Sequence, residues 1–379
     1  MTDLKYDYNS NRASDICRII RKMDYRFIPA ELINILNDIA LNHTNPQDNK
    51  INITKKDDDN MKSYEMLISN ALNCSRSEAI RTIGEIIYEN KSLFIDFRET
   101  ILKVSEDKNP AVRLACLFAL WPSYNIDQKW AEKIILKLYI DDYRLLGFED
   151  SNKMLFNLYQ NNKKEVIKLI KKCFKSDDKD LIRIGGHCLC IMNVLYNEFT
   201  DIIENICDLN ENQKRSILEM SILYFKFPQY NNNSKKIILK IVQNSNGMHI
   251  SLSSLFSKKN INLERDKDFL IELIKIIPNN RIMYSFIRYL ENESLTLIDY
   301  EEIIFSMAYS LLESPNEENK IWRVENEISQ LVIGLYDETC NSNIDKLKSI
   351  SEKCLDLWDL MFENQIGNIR MLSEKIMER

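Results

Sequence analysis

A chain of 379 residues with 45% hydrophobic and 28% charged side chains has enough apolar surface to fold, which excludes a disordered polymer. Its 51 basic and 57 acidic side chains are interspersed and leave a net charge of −6, so no global field draws a polyanion. No run approaches the ~18 apolar residues of a membrane span, and seven Gly with seven Pro are too few for a turn-rich sheet protein, so helices are expected.

The first ten residues are polar and lack the apolar run of a secretory leader. A helix is predicted over residues 13–23, where Ile16, Ile19 and Ile20 share one side. A second is predicted from Pro29, with Leu32, Ile33, Leu36 and Ile39 at helical spacing. Residues 1–41 thus read as an N-terminal helical cap. Residues 42–62, rich in asparagine, lysine and aspartate, read as a flexible polar loop. From Ser63 onward, amphipathic segments alternate with short polar breaks, the pattern of antiparallel helix pairs.

The clearest pair begins at Asn109-Pro110. Asparagine suits a helix cap because its side-chain oxygen accepts a free amide proton, and proline suits the first helical position because its missing N–H has no partner there. The run AVRLACLFALW is apolar nearly all round except at Arg113, and Trp121-Pro122 is expected to end it. Asp127 should cap a partner helix carrying Trp130, Ile134, Ile135 and Leu138, with Lys133 and Lys137 in water. Residues 163–175 set Lys163, Lys164, Lys168, Lys171, Lys172 and Lys175 opposite Val166, Ile167, Ile170 and Phe174. Residues 177–196 repeat the earlier pattern, with Ile182, Gly185, Gly186 and Leu189 standing where Val112, Ala115, Cys116 and Ala119 stood. Small residues there let neighbouring helices approach. Later segments stay helical while the signature fades, so residues 63–226 read as regular repeats and 227–379 as divergent repeats ending in a cap.

An apolar residue followed by arginine recurs at Ile80-Arg81, Val112-Arg113, Tyr143-Arg144 and Ile182-Arg183, with a weaker Lys214-Arg215. The steps between these arginines are 32, 31, 39 and 32 residues. Self-similarity at such a period is the mark of stacked units that cannot each bury an apolar face alone, and it predicts an all-α superhelix, an α-solenoid of antiparallel helix pairs. At NPAVRLACLFAL (residues 109–120) the chain resembles a HEAT repeat, whose second helix opens with an apolar-Arg pair followed by small and aliphatic residues. The family favours an aspartate six positions earlier, able to pair with an arginine of the array. Asp107 and Asp177 stand so relative to Arg113 and Arg183, while Leu138 and Leu209 stand before Arg144 and Arg215. The period is shorter than the ~40–47 residues of HEAT and armadillo units. The succession CSRSEAIRTIGEI (74–86), NPAVRLACLFAL and DDYRLL (141–146) also resembles the helical C-terminal sensor region of large bacterial signal-transducing ATP-binding proteins, several of which act in anti-phage defence.

Motifs for chemistry are lacking: there is no G-x-x-x-x-G-K-[ST], H-E-x-x-H or G-x-S-x-G, and only three histidines (His43, His187, His249). No catalytic residue, cofactor or metal is assigned. His187 and Cys190 lie three apart on a predicted helix and could converge on an ion, but read as packed core. The nine cysteines, an odd number in mostly apolar runs, read as reduced thiols of a cytoplasmic protein. The acidic doublets Glu149-Asp150, Asp177-Asp178 and Glu301-Glu302 read as helix-start and surface charges. Trp121, Trp130, Trp322 and Trp358 read as core packing before interface anchors.

Arg81, Arg113, Arg144, Arg183 and Arg215 are expected to be structural, joining repeats through carboxylates or helix-end carbonyls. Lys164, Lys168, Lys171, Lys172 and Lys175 form a candidate polar or phosphate-contacting face. The function expected is non-enzymatic recognition of a protein partner through a solenoid groove, as the sensor part or subunit of a bacterial defence or signalling system. The alternative is a nucleic-acid-binding or base-processing protein akin to the HEAT-like DNA glycosylases, which are markedly basic where this chain is acidic.

Overall fold

Helix starts set the local structure. The computed structural model describes residues 10–46, 64–147, 151–244, 252–256, 260–276, 280–292, 296–313, 322–364 and 366. Asn109 accepts from the Ala111 amide at 2.9 Å with Pro110 in the first turn, and Asp127 accepts from the Trp130 amide at 3.2 Å. Asn210 and Gln213 exchange side-chain and backbone bonds as a capping box.

Among the described residues all regular structure is helical. In order, the helices are α1 (Ser10–Ile20), α2 (Ala30–Asn42), α3 (Tyr64–Asn73), α4 (Ser75–Glu89), α5 (Phe94–Ser105), α6 (Pro110–Tyr124), α7 (Gln128–Asp141), α8 (Ser151–Tyr159), α9 (Lys163–Phe174) and α10 (Lys179–Tyr196). They continue with α11 (Thr200–Glu204), α12 (Glu211–Phe225), α13 (Pro228–Gln243), α14 (Leu263–Ile276), α15 (Asn280–Asn292), α16 (Glu301–Glu313), α17 (Trp322–Thr339) and α18 (Asp345–Glu363). None of them is long and apolar enough to cross a membrane. The chain divides into two compact units, Met1–Cys188 and Leu189–Arg379, with the division inside α10.

Two expectations about boundaries need correction. The first helix ends at Ile20, and the chain then turns through Asp24, which accepts from the Arg26 amide. Trp121-Pro122 does not end α6, which runs on to Tyr124. A proline so near a helix end removes one bond only, and the Ser123 hydroxyl donates to the Ala119 carbonyl at 2.7 Å in the same turn. Of the polar stretch 42–62, Asn42 closes α2 and residues 43–46 follow it; the remainder lies outside the described residues.

In the first unit α4 packs against α1, α2, α3 and α6, while α5 packs on α7 and α7 on α9. Elements two places apart are thus neighbours. Where α4 meets α6, a Cβ on Gly84 would stand 2.5 Å from the Phe118 carbonyl oxygen, so only glycine permits this approach. Pro122 has no N–H to return to that carbonyl. In α10 the corresponding part is played by Gly185, whose absent side chain admits the α9 backbone at Cys173 and Phe174. Gly84→Val should lower stability by about 1–3 kcal/mol through overpacking, read as a lower thermal midpoint by circular dichroism. An unchanged midpoint would show that this contact does not fix the spacing of α4 and α6.

Several polar side chains link residues 29 to 31 positions apart. In the first unit Arg76 reaches Asp107 (2.7 Å, 31 residues on), Arg98 reaches Asp127 (3.0 Å, 29), Lys137 reaches Glu106 (2.7 Å, 31) and Asn161 reaches Glu132 (3.1 Å, 29). In the second, Lys214 donates to the Asn244 carbonyl (2.7 Å, 30) and Lys235 to the Arg265 carbonyl (2.9 Å, 30).

The second unit packs α12 on α13, α13 on α14, α14 on α16, and α17 on α15, α16 and α18. Its polar centre is Asp266. This fully buried carboxylate receives Lys235 at 2.9 Å, Arg265 at 2.7 and 2.8 Å, and the Asn262 amide at 2.9 Å.

Candidate functional site

A groove of about 500 Å³ opens in the first unit between α4, α6 and the turn Tyr25–Phe27. Helical spacing builds it. Arg81, Gly84, Glu85, Tyr88 and Glu89 descend one stripe of α4, and Phe118, Trp121 and Pro122 face them from α6. Tyr25 completes the lining. Its hydroxyl donates to the Arg21 carbonyl at 3.1 Å, and Asn90 holds its backbone carbonyl at 2.9 Å. Burial raises the Tyr25 phenol above its ordinary pKa, helped by Glu85 and Glu89 and opposed by Arg21.

Arg81 lies with its guanidinium 5.0 Å from the centre of the Phe118 ring, a cation–π contact. Among the described residues its buried Nε has no hydrogen-bond partner, and neither has the buried indole nitrogen of Trp121. Burial holds Arg81 below its ordinary pKa; Arg21 adds to that, and Glu85 and Glu78 oppose it. The carboxylates nearby serve Arg21 instead. Arg21 Nε sits 3.5 Å from Glu85, and its other nitrogens take the Glu78 side chain and carbonyl. Tyr88, 70% exposed, and exposed Glu89 form the rim.

The other repeat arginines are placed differently from Arg81. Arg113 donates to the Asp107 and Lys108 carbonyls at 2.8 and 3.2 Å, with Asp142 at 3.6 Å. Arg144 grips the same Asp142 with two nitrogens, at 2.8 and 2.6 Å. These two meet on one carboxylate. Arg183 and Arg215 are exposed, so for them there is no buried guanidinium to satisfy. A buried ion pair belongs instead to Arg76, which lacks a preceding apolar residue and so has no place in the beat.

On α9, Lys164, Lys168, Lys172 and Lys175 are exposed and Lys171 is partly so, with Val166, Ile170, Cys173 and Phe174 buried opposite. Lys172 stacks on the Tyr143 ring at 4.6 Å. Among the described residues no group of three or more His, Cys, Asp or Glu is placed to hold a metal ion. Burial pushes the Cys188 and Cys190 thiols up to about 12, which keeps them protonated and poor ligands or nucleophiles near neutrality. Asp178 caps α10, Glu302 pairs with Lys267, and Glu301 lies 3.7 Å from Lys346. Glu149-Asp150 lies outside the described residues. Trp130 packs edge-on against Phe94 under Arg98.

Sequence reasoning missed the groove because it assembles single residues from three separated segments. Gly84 was the available signal: a glycine inside a helical pattern marks a close approach. Comparison with protein-family models, with curated proteins and with solved structures finds no match.

Proposed function

We propose that the chain is a non-enzymatic recognition scaffold, an α-solenoid of HEAT-like helix pairs that binds a protein partner through the groove between α4 and α6. One observation carries it: a partly buried arginine without an ion-pair partner among the described residues, set in a groove rimmed by an exposed tyrosine. Arginine and tyrosine in such settings are the residue types that dominate protein interfaces. Side-chain links recurring at 29 to 31 residues support the solenoid part, because units that touch only their neighbours repeat their joints at the unit length. The sharper form, a sensor part or subunit of a bacterial defence or signalling system, draws on the segment order at 74–86, 109–120 and 141–146.

A photo-crosslinking side chain at Tyr88, with one at exposed Glu352 as control, tests this in the native host. A discrete protein adduct from position 88 and none from 352 is expected. Adducts to nucleic acid, or none from either position, would overturn the reading. The exposed lysines of α9 favour a second one, nucleic-acid contact. It would displace the first if duplex DNA bound with a steep loss of affinity in salt, relieved of slope by Lys168→Glu.

A further inference from the structure

Taking the α4–α6 groove as a protein-binding site, we propose that it holds one carboxylate of the partner, the side chain of an aspartate or glutamate in an extended segment, with Arg81 as counter-ion. The proposal rests on that reading and names the chemistry of the occupant. Four observations converge on it.

The first is an imbalance of donors. Among the described residues, Arg81 Nε and Trp121 Nε1 are both buried N–H groups without acceptors, and both belong to residues lining one groove. Native proteins rarely leave such donors unmet, since each forfeits the hydrogen bonds it had in water. A carboxylate brings two acceptor oxygens and can meet more than one donor at once.

The second is charge. The Arg81 guanidinium rests on Phe118 and has no ion pair among the described residues, although two glutamates line the same groove. Glu85 is turned to Arg21 at 3.5 Å and Glu89 is exposed at the rim. The floor therefore offers a cation and the rim offers anions. An anion entering this partly desolvated site gains more from Arg81 than it would in open water.

The third is selectivity among anions. A nucleic-acid backbone would lay several phosphates along the groove and bring them against Glu85 and Glu89. One side-chain carboxylate delivers its single charge to Arg81, and its neighbours can be neutral. The fourth is size and wall chemistry. About 500 Å³ suits a few side chains, and Tyr25, Tyr88 and Phe118 give apolar faces for residues flanking the acid.

The test uses the full chain labelled with ¹⁵N, following the Trp121 indole signal, which Trp121→Phe identifies. The probes are the peptide acetyl-Ala-Phe-Glu-Phe-Ala-amide and its glutamine, lysine and phosphoserine counterparts at the central position. The glutamate peptide should shift the Trp121 indole signal and bind at least tenfold more tightly than the glutamine peptide. Arg81→Met should erase that difference, and Arg81→Lys should retain part of it, with thermal midpoints confirming that both variants are folded. Equal binding of glutamate and glutamine peptides, preference for the lysine or phosphoserine peptide, or no binding by any peptide would overturn the carboxylate assignment. Crosslinking from position 88 separates the two ideas. A protein adduct that persists in Arg81→Met keeps the groove as a protein site and removes the carboxylate clamp, whereas absence of any adduct in the unmodified chain removes both.

Discussion

Arg76→Ala should cost the first unit about 3–5 kcal/mol, the range for breaking a buried ion pair by removing one partner. The Arg76 and Asp107 side chains are 6% and 9% exposed and meet at 2.7 Å. Arg76 also donates to the Pro46 carbonyl at 2.7 Å, and the other oxygen of Asp107 receives the Asn109 amide at 2.7 Å. Asn109 in turn caps α6. Removing the arginine therefore strands a carboxylate among apolar helices and loosens the residue that starts one of them. Asp107→Ala should do comparable damage by stranding the guanidinium. The double variant Arg76→Met with Asp107→Leu should be more stable than either alanine variant, because no unpaired charge is left behind. Urea unfolding with an unchanged m-value measures each cost as a shift in midpoint. Single-variant losses below about 1 kcal/mol would place this pair with ordinary surface ion pairs and refute the argument.

The second unit should show an acid limb that depends on Asp266. Burial pushes this carboxyl upward, but hydrogen bonds from Arg265, the Asn262 amide and Lys235 outweigh burial and hold it below its ordinary value. A folded-state pKa depressed in this way means that the stabilising contribution is complete above the unfolded aspartate value of about 3.9. It is lost as pH falls through the folded value, since the unfolded chain then binds the proton more readily. Asp266→Asn should cost roughly 3 kcal/mol at pH 7, because Lys235 and Arg265 lose their shared anion. The variant should also lose less stability than the parent between pH 5 and pH 2. Parallel pH profiles of the thermal midpoint for parent and variant would show that Asp266 does not set the acid limb.

What could be read directly from the residues was local. Asn109, Pro110 and Asp127 announce helix starts because their chemistry is completed within three positions. The lysine face of α9 was legible for the same reason, since spacing on one helix fixes which residues share a side. Partners across helices were harder. Arg76 follows a serine, so a search for apolar-arginine pairs passes over it, although its distance to Asp107 equals one step of the beat. Arg81 and Arg113 carry the same local signature, yet Arg113 has Asp142 nearby and Arg81 meets Phe118. The difference lies in the neighbouring helix, which spacing within the pair does not encode. Arg183 and Arg215 show the converse, a shared signature on side chains that face water.

The side-chain links that span about 30 residues bear on how the chain comes to fold. Closing a flexible loop costs entropy that grows as the logarithm of its length, so a link across ~30 residues is cheaper by roughly 1.4 kcal/mol than one across ~150. Each joint from Arg76–Asp107 to Lys235–Asp266 encloses only the short kind of loop. A nascent chain can therefore close these particular joints without waiting for its far end. Contacts of this span belong to the class whose formation favours fast folding.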